Sequence, residues 1–231
     1  MSNTQAMTYR RVGRVLQEIG MVSEEKVRSV LKEAENYADE EVDQYEAACA
    51  LEEFGVAVSV HADDIDSIHE DYAALLTDAL AVAGDRVTIT DVRLVEGDGE
   101  LENGRFDTLE FRRNGKPVSI SAEHFADDYF DHQAACEAID GTADADDPRS
   151  WCEVDFERKQ YAGYDTVLVL ATPEQAAALQ EHLGFTWNLR GCPGLQAGEG
   201  SDSCEAGQGK PNCRQGDSAS AAAASRSTSS R

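Results

Sequence analysis

Residues 106–121 have the sequence FDTLEFRRNGKPVSIS, and this stretch decides the fold class. Asn114-Gly115 is the strongest hairpin signal in the chain, because both central residues of a type I′ turn need positive φ. Apolar residues alternate with polar ones on each side of this pair, as they do in half-buried strands. The stretch therefore predicts two antiparallel strands, at 106–112 and 118–121, joined by a tight turn.

Further strands and helices are predicted on both sides of this hairpin. The strands are predicted at 56–60, 87–95, 151–156, 166–170 and 185–187. Apolar spacings of three and four residues predict helices at 9–19, after Ser23, at 40–54, 63–83 and 126–139, and from Pro173. The predicted fold is α+β: an N-terminal helical segment packs with a mostly antiparallel sheet and two further helices, and a disordered tail follows.

The chain divides into three parts by composition. Residues 1–84 form an acidic, mainly helical segment, and residues 85–188 form an α+β sheet region that we expect to share one domain with it. Residues 189–231 are rich in Gly, Ser, Ala and Gln and end in AAAASRSTSSR. Such a composition lacks the apolar residues that would offset the entropy of ordering, so we predict that this tail is disordered.

Acidic residues are in large excess in the part that is predicted to fold. From Glu33 to Asp85, 53 residues include 16 Asp and Glu and no Lys or Arg, and a second stretch without bases runs from Pro117 to Pro148. The whole chain has a formal net charge of −25. This charge argues against nucleic acid and anionic lipid as direct partners, because contacts to phosphate need Lys and Arg. Basic proteins and metal cations remain as partners.

Targeting segments are not apparent in the sequence. The first residues, MSNTQAMTYRRVGRV, have no apolar stretch behind their basic residues, and no run approaches the roughly 18 apolar residues of a membrane span. We therefore expect a cytoplasmic protein that does not enter a membrane. Six cysteines agree with this expectation if they stay reduced, since no C-x-x-C pair is present. The sequence gives no indication of the oligomeric state.

One segment, residues 11–34, resembles a repeat found in N-terminal domains of secretion and pilus ATPases. The runs RVGRVL at 11–16 and GMVSEE at 20–25, followed by Val27, Val30 and Leu31, are similar without gaps to R-L-G-x-x-L…G-L-I-S-E-E-x-L…A-L. In that family, two tandem copies can form a cyclic-dinucleotide site. Here the similarity covers 24 of 231 residues, Ala34 occupies the position of the ligand-contacting glutamine, and no second copy follows. The resemblance therefore implies a shared local packing of two helices.

His124, Asp128 and His132 are the candidate metal ligands. Their spacing places two imidazoles and a carboxylate along one face of the predicted 126–139 helix, provided that the helix begins by His124. A divalent metal accepts such ligands, and the acidic surroundings favour any cation. The alternative is a solvated polar face without metal, because no complementary ligand set is visible. No other cofactor is indicated, and no arrangement of nucleophile, base and oxyanion donors predicts a catalytic residue.

We expect an interaction protein whose acidic helical face docks on a basic protein. The residues of this predicted face are Glu40, Glu41, Asp43, Glu46, Asp63, Asp64, Glu70 and Asp71. The most concrete form of this hypothesis is an immunity or inhibitor protein, by physical analogy with small acidic proteins that cap the cationic cleft of a nuclease. Two alternatives remain: an acid-rich surface that serves solvation at high ionic strength, and a metal-assisted enzyme that uses residues 124–132.

Overall fold

Six α-helices and seven β-strands make up the computed structural model, which describes residues 6–61, 65–84, 86–155 and 165–188. The helices are α1 (Tyr9–Glu18), α2 (Glu24–Glu33), α3 (Gln44–Glu53), α4 (Ile68–Ala83), α5 (His132–Asp140) and α6 (Pro173–Leu183). The strands are β1 (Ala57–Val60), β2 (Ile89–Val95), β3 (Arg105–Arg113), β4 (Lys116–His124), β5 (Ser150–Asp155), β6 (Thr166–Ala171) and β7 (Thr186–Trp187). A short 3-10 helix, Leu101–Asn103, lies between β2 and β3.

Strand β6 is an interior strand of a four-stranded antiparallel sheet with the order β1-β6-β5-β7. All of its residues are buried, which accounts for its nearly continuous apolar sequence, TVLVLA. Successive side chains of a strand point to opposite faces of a sheet. Val167 and Val169 therefore enter one hydrophobic core, whereas Leu168 and Leu170 enter a second core on the other face.

The first core lies between one face of this sheet and the helices α1, α2, α3 and α6. Ser23 caps α2 by accepting a hydrogen bond from the Lys26 backbone N–H, which confirms the predicted start of this helix. Pro173 occupies the first turn of α6, as the sequence predicts. Large side chains that are fully buried in this core are Leu16, Leu51, Phe54, Leu179 and Phe185.

The second core lies on the opposite face of the four-stranded sheet. It contains the buried sides of α4 and α5 together with one face of a three-stranded sheet of order β2-β3-β4. The predicted apolar stripe of α4 is confirmed, since Tyr72, Leu75 and Leu76 are all buried. Further members of this core are Ile68, Leu109, Phe111, Ile120, Phe130, Ile139 and Trp151.

The hairpin that the sequence predicts from Asn114-Gly115 joins β3 to β4. Both turn residues have positive φ, 50° at Asn114 and 75° at Gly115, and Arg113 pairs with Lys116 across the turn. Burial alternates along β3, because one face of the three-stranded sheet joins the second core. Its other face carries no covering element among the described residues, and this uncovered side is called the open face below.

Three helices begin later than the sequence predicts. Helix α3 begins at Gln44 rather than at 40, α4 at Ile68 rather than at 63, and α5 at His132 rather than at 126. The residues that cap these three starts are Asp43, Ser67 and Asp131. Each cap accepts hydrogen bonds from the first free N–H groups of its helix. Several acidic or hydroxyl residues that can cap a helix precede each of these three helices. Apolar spacing alone does not show which of them is the cap, so the predicted starts were too early.

The predicted α+β class is confirmed, with two sheets in which every pairing is antiparallel. Strand β1, from the predicted 1–84 part, pairs with β6 from the 85–188 part, so these two parts share a sheet. The described residues all fall within one compact unit. The predicted tail, 189–231, lies outside the described residues. No helix in the described ranges is both long and apolar enough to cross a membrane.

Candidate interaction surface

Four of the predicted docking acids lie at or before the start of α3. Glu40 and Glu41 are exposed in the loop that precedes the helix. Asp43 and Glu46 form a capping box: Asp43 Oδ1 accepts from Glu46 N at 2.9 Å, and Glu46 Oε2 accepts from Asp43 N at 2.8 Å. Glu40 and Glu41 are therefore free to act on a partner through their charge, whereas Asp43 and Glu46 also stabilise the helix start.

Two more of these acids, Glu70 and Asp71, lie in the first turn of α4. Glu70 is exposed, while Asp71 Oδ2 accepts a hydrogen bond from Ser67 N at 2.8 Å. Negative charge is favourable at this position because it opposes the positive end of the helix dipole. Asp63 and Asp64 lie outside the described residues.

The structure separates the two groups of acids. Helix α3 packs in the first core and α4 packs in the second core, and these cores lie on opposite faces of the four-stranded sheet. The acids near α3 and those on α4 therefore belong to different layers of the molecule. That these acids together dock on one partner stays a prediction.

His124 ends strand β4 and lies in a buried network of polar side chains. Its Nδ1 is 2.9 Å from Asp107 Oδ2, and its Nε2 is 3.1 Å from the hydroxyl of Tyr72. The Arg105 guanidinium donates to both carboxylate oxygens of Asp107, from Nε at 2.7 Å and from Nη2 at 3.1 Å. The backbone N–H of Gly97 donates to the same carboxylate at 2.9 Å. The network thus joins α4, β3, β4 and the loop after β2.

Burial and hydrogen bonds act in opposite directions on the central carboxylate of this network. Burial raises the pKa of Asp107, but hydrogen bonds from Arg105, Gly97 and His124 lower it, and the net pKa lies below the ordinary aspartate value. Burial raises the pKa of the Tyr72 hydroxyl far above its usual range. Asp107 is therefore held as a carboxylate and Tyr72 as a neutral hydroxyl. Asp107, His124 and Tyr72 are almost completely buried, so the network stabilises the fold beneath the surface.

This network removes His124 from the predicted metal site. Both imidazole nitrogens already have partners, and Asp128 is exposed in a turn between β4 and α5. His132 is the first residue of α5, and its Nε2 contacts the Thr166 hydroxyl. The expectation that these residues share a helix face is wrong, because the helix begins only at His132. Among the described residues, no group of three or more His, Cys, Asp and Glu side chains is placed to hold a metal ion.

Exposed apolar side chains are concentrated at one end of the open face. Phe106 is 63% exposed, Phe125 is 55% exposed and Val95 is 41% exposed. Phe106 pairs with Glu123, and Val95 pairs with Thr108, so these residues share the face that points away from the second core. Phe125 comes two residues after Glu123, just beyond the end of β4. Residues two apart in an extended chain point to the same face, so Phe125 lies on the same face as Glu123. We call Val95, Phe106 and Phe125 the aromatic patch.

The loop from residue 96 to residue 104 packs against this patch. A Cβ added at Gly97 would lie 1.9 Å from the carbonyl oxygen of Phe106, so the loop approaches β3 as closely as only glycine permits. A Cβ at Gly104 would lie 3.0 Å from the ring of Phe125. Exposed acids in this loop and beside Phe125 are Asp98, Glu100, Glu102, Asp127 and Asp128. These five acids are called the acidic rim. Glu96 of the same loop instead pairs with His69 of α4 at 3.2 Å and with Arg105 at 3.5 Å.

The rest of the open face is polar and internally paired. Arg93 Nη2 lies 2.6 Å from Glu110 Oε2, and Arg112 Nε lies 3.2 Å from Asp91 Oδ2. These residues line a shallow cavity of about 470 Å³. Because each arginine already has a carboxylate partner, this part of the face has no free cation to bind an anionic ligand.

The aromatic patch is not among the predictions from the sequence, although the sequence carries a signal for it. Phe106 has the parity of Thr108 and Glu110, so it belongs to the polar side of β3 rather than to the side of Leu109 and Phe111. An aromatic residue on the polar side of a strand is the pattern that predicts an exposed contact residue. The network of His124 could not be found in this way, since Tyr72 is 52 residues distant from it in the chain.

Comparison with known proteins gives no assignment: no family model, no curated protein and no solved structure matches this chain.

Proposed function

We propose that this chain is an acidic interaction protein that binds a basic protein partner. The observation that carries this proposal is the unpaired acidity of the surface. Asp39 in the long acidic stretch pairs with Arg10 at 2.6 Å, whereas the neighbouring Glu40 and Glu41 have no ion-pair partner among the described residues. Surface carboxylates that have no internal cation produce a field that extends into solvent.

This field has consequences for association. Complementary charges steer encounter and raise the association rate, and they favour cationic surfaces over others. The net charge of −25 at the same time opposes binding to nucleic acid, whose phosphates carry the same sign. An immunity or inhibitor protein, which covers the cationic cleft of an enzyme, is the form of this function in which a strong acidic field is most useful.

The first test is affinity capture from a native cell lysate at low salt, followed by neutralisation of the two acid groups separately. The first variant is Glu40→Gln, Glu41→Gln, Asp43→Asn and Glu46→Gln, in which Asn and Gln retain the ability to cap α3. The second is Glu70→Gln and Asp71→Asn. Because the two groups lie in different layers, the variant that slows association identifies the layer that faces the partner.

A matched control neutralises Glu25 and Glu181, which are exposed acids of α2 and α6 outside both groups. We expect the captured partners to be basic and the control to associate more rapidly than the variant of the docking layer. Captured proteins without basic character, or equal rates for all three variants at low salt, would contradict the proposal. Those outcomes would support the alternative in which the acidity serves solvation.

A further inference from the structure

We infer that the aromatic patch is the point at which the basic partner makes contact, and that the partner presents an apolar side chain flanked by Lys or Arg. This inference rests on the proposed function and adds the location of the contact and the chemistry of the occupant. It concerns the open face of the three-stranded sheet, which packs with α4 around the second core, whereas α3 packs in the first core. We therefore expect the Glu70→Gln, Asp71→Asn variant, rather than the variant at α3, to slow association.

Large apolar side chains are exposed together at one end of the open face. Val95, Phe106 and Phe125 are three of the four exposed large hydrophobic residues in the described part of the chain. The fourth, Tyr37, packs edge-on against the ring of Tyr9, with ring centroids 5.2 Å apart. Apolar residues that cluster on a surface and are surrounded by polar residues are typical of protein interaction sites. Aromatic residues in particular supply much of the binding free energy at interfaces.

The backbone beneath the patch is held by a buried ion pair and by close packing of the neighbouring loop. Phe106 lies between Arg105 and Asp107, whose side chains form the buried ion pair on the inner face of β3. The ion pair and the close packing of Gly97 fix the backbone at this end of the sheet. The aromatic side chains are therefore presented by an ordered backbone, which lowers the entropy that is lost when a partner binds.

The chain segments next to the patch are acidic. No Lys or Arg occurs between residues 94 and 104 or between residues 117 and 148, and Arg105 is nearly buried and paired with Asp107. The acidic rim thus lies in the chain segments next to the patch, and those segments contain no Lys or Arg. A second copy of the chain would bring the same acids against each other, whereas Lys or Arg beside an apolar residue would satisfy both the rim and the rings.

The test uses the full chain labelled for NMR and three synthetic peptides of equal length. One peptide contains Lys and Leu, the second contains Lys and Gly, and the third contains Glu and Leu. We expect the Lys/Leu peptide to bind most tightly and to shift the amide signals of Gly104, Phe106 and Phe125. The double variant Phe106→Ala, Phe125→Ala should weaken this binding by about tenfold or more, the scale expected for loss of buried aromatic anchors.

Two controls separate the contact from folding and from general charge attraction. Tyr37→Ala removes an exposed aromatic residue away from the patch and should leave the affinity for the Lys/Leu peptide unchanged. Glu100→Gln with Glu102→Gln neutralises part of the rim without touching the rings, and it should weaken binding of the Lys/Leu peptide while the spectrum of the free protein is retained. The spectrum of the double Phe variant outside the patch reports whether its fold is intact, and the rim variant tests the site independently of that result.

Specific outcomes overturn the inference. If the double Phe variant folds and binds the Lys/Leu peptide as tightly as the native chain, the patch is not the contact point, while the proposed acidic function stands as long as both basic peptides bind. If the Glu/Leu peptide binds as well as the Lys/Leu peptide, the assigned chemistry of the partner is wrong. If neither basic peptide binds the native chain, the proposed function itself fails.

Discussion

At the scale of single residues, Asp107 is the centre of the buried polar network. Its carboxylate accepts hydrogen bonds from Arg105, from the Gly97 backbone and from His124. Asp107→Asn leaves the Arg105 cation nearly buried without its main partner, so we expect a loss of about 3–5 kcal/mol in the free energy of unfolding. Chemical denaturation followed by circular dichroism measures this loss.

The matched control is Glu110→Gln in the same strand. Glu110 also pairs with an arginine, Arg93, but the Arg93 side chain is 70% exposed. An exposed pair contributes about 0–1 kcal/mol, so this variant should have nearly the native stability. Similar losses for both variants would show that burial of the Asp107 pair has no special effect.

The lowered pKa of Asp107 also predicts how stability depends on pH. A carboxyl whose pKa is lower in the folded chain contributes stability above its unfolded pKa, about 3.9, and this contribution is lost as the pH falls through the folded pKa. The stability difference between the native chain and Asp107→Asn should therefore be largest near neutral pH and should decrease in acid. Other carboxyl groups titrate in both proteins and cancel. A difference that is constant from neutral to acidic pH would contradict the assigned role of the charge.

At the scale of secondary structure, α4 provides the principal apolar stripe of the second core. Leu76 is 1% exposed and packs between the two sheets, whereas Leu80 on the same helix is only half-buried. Leu76→Ala should lower the free energy of unfolding by roughly 2–5 kcal/mol, as truncation of buried leucine does. Leu80→Ala is the matched comparison and should cost less. An equal cost for the two, measured by urea denaturation, would mean that the assigned burial is wrong.

The sequence predicted most elements because their signals are local. The Asn114-Gly115 turn, the Ser23 cap and Pro173 in the first turn of α6 each act within a few residues, and each is confirmed. The starts of α3, α4 and α5 were misplaced because the choice among neighbouring capping residues depends on tertiary packing. The division into two sheets depends on which strands meet over long distances, which alternation within one strand does not specify.

The candidate site was predictable only in part, because some of its contacts join elements that are distant in the chain. The exposed position of Phe106 follows from strand parity, but the support from Asp107 and the loop packing at Gly97 requires contacts between separate elements. The packing of α3 and α4 in different layers could not be predicted, because a helix pattern shows only which side of each helix is polar. It does not show on which side of a sheet each helix packs.

At the scale of the whole molecule, the distribution of acids predicts self-repulsion. Exposed carboxylates without cationic partners repel one another in the folded state. Replacing Glu40 and Glu41 with Gln removes two such charges without disturbing a described hydrogen bond. We expect unchanged or slightly higher stability at low salt, and a smaller gain on addition of salt than the native chain shows. A clear loss of stability in thermal denaturation would show that these acids have structural partners.

Charge alone does not distinguish binding from solvation, because both use an exposed acidic surface. A protein whose acidity serves solvation should become steadily more stable with salt and should have no specific cationic partner. A docking protein should in addition show association that depends on particular acids at particular places. The kinetic effect of those acids is therefore more informative than their effect on stability.

The most direct test of the central claim is the association rate constant with the captured basic partner, measured by stopped flow as a function of ionic strength. The Debye length is roughly 8 Å in physiological buffer, so a field-driven encounter slows as added salt shortens it. We predict a steep decrease in rate with salt for the native chain, and at low salt a slower association for the neutralised variant of the docking layer. A rate that is independent of salt, or identical for the native and neutralised proteins at low salt, would contradict the account.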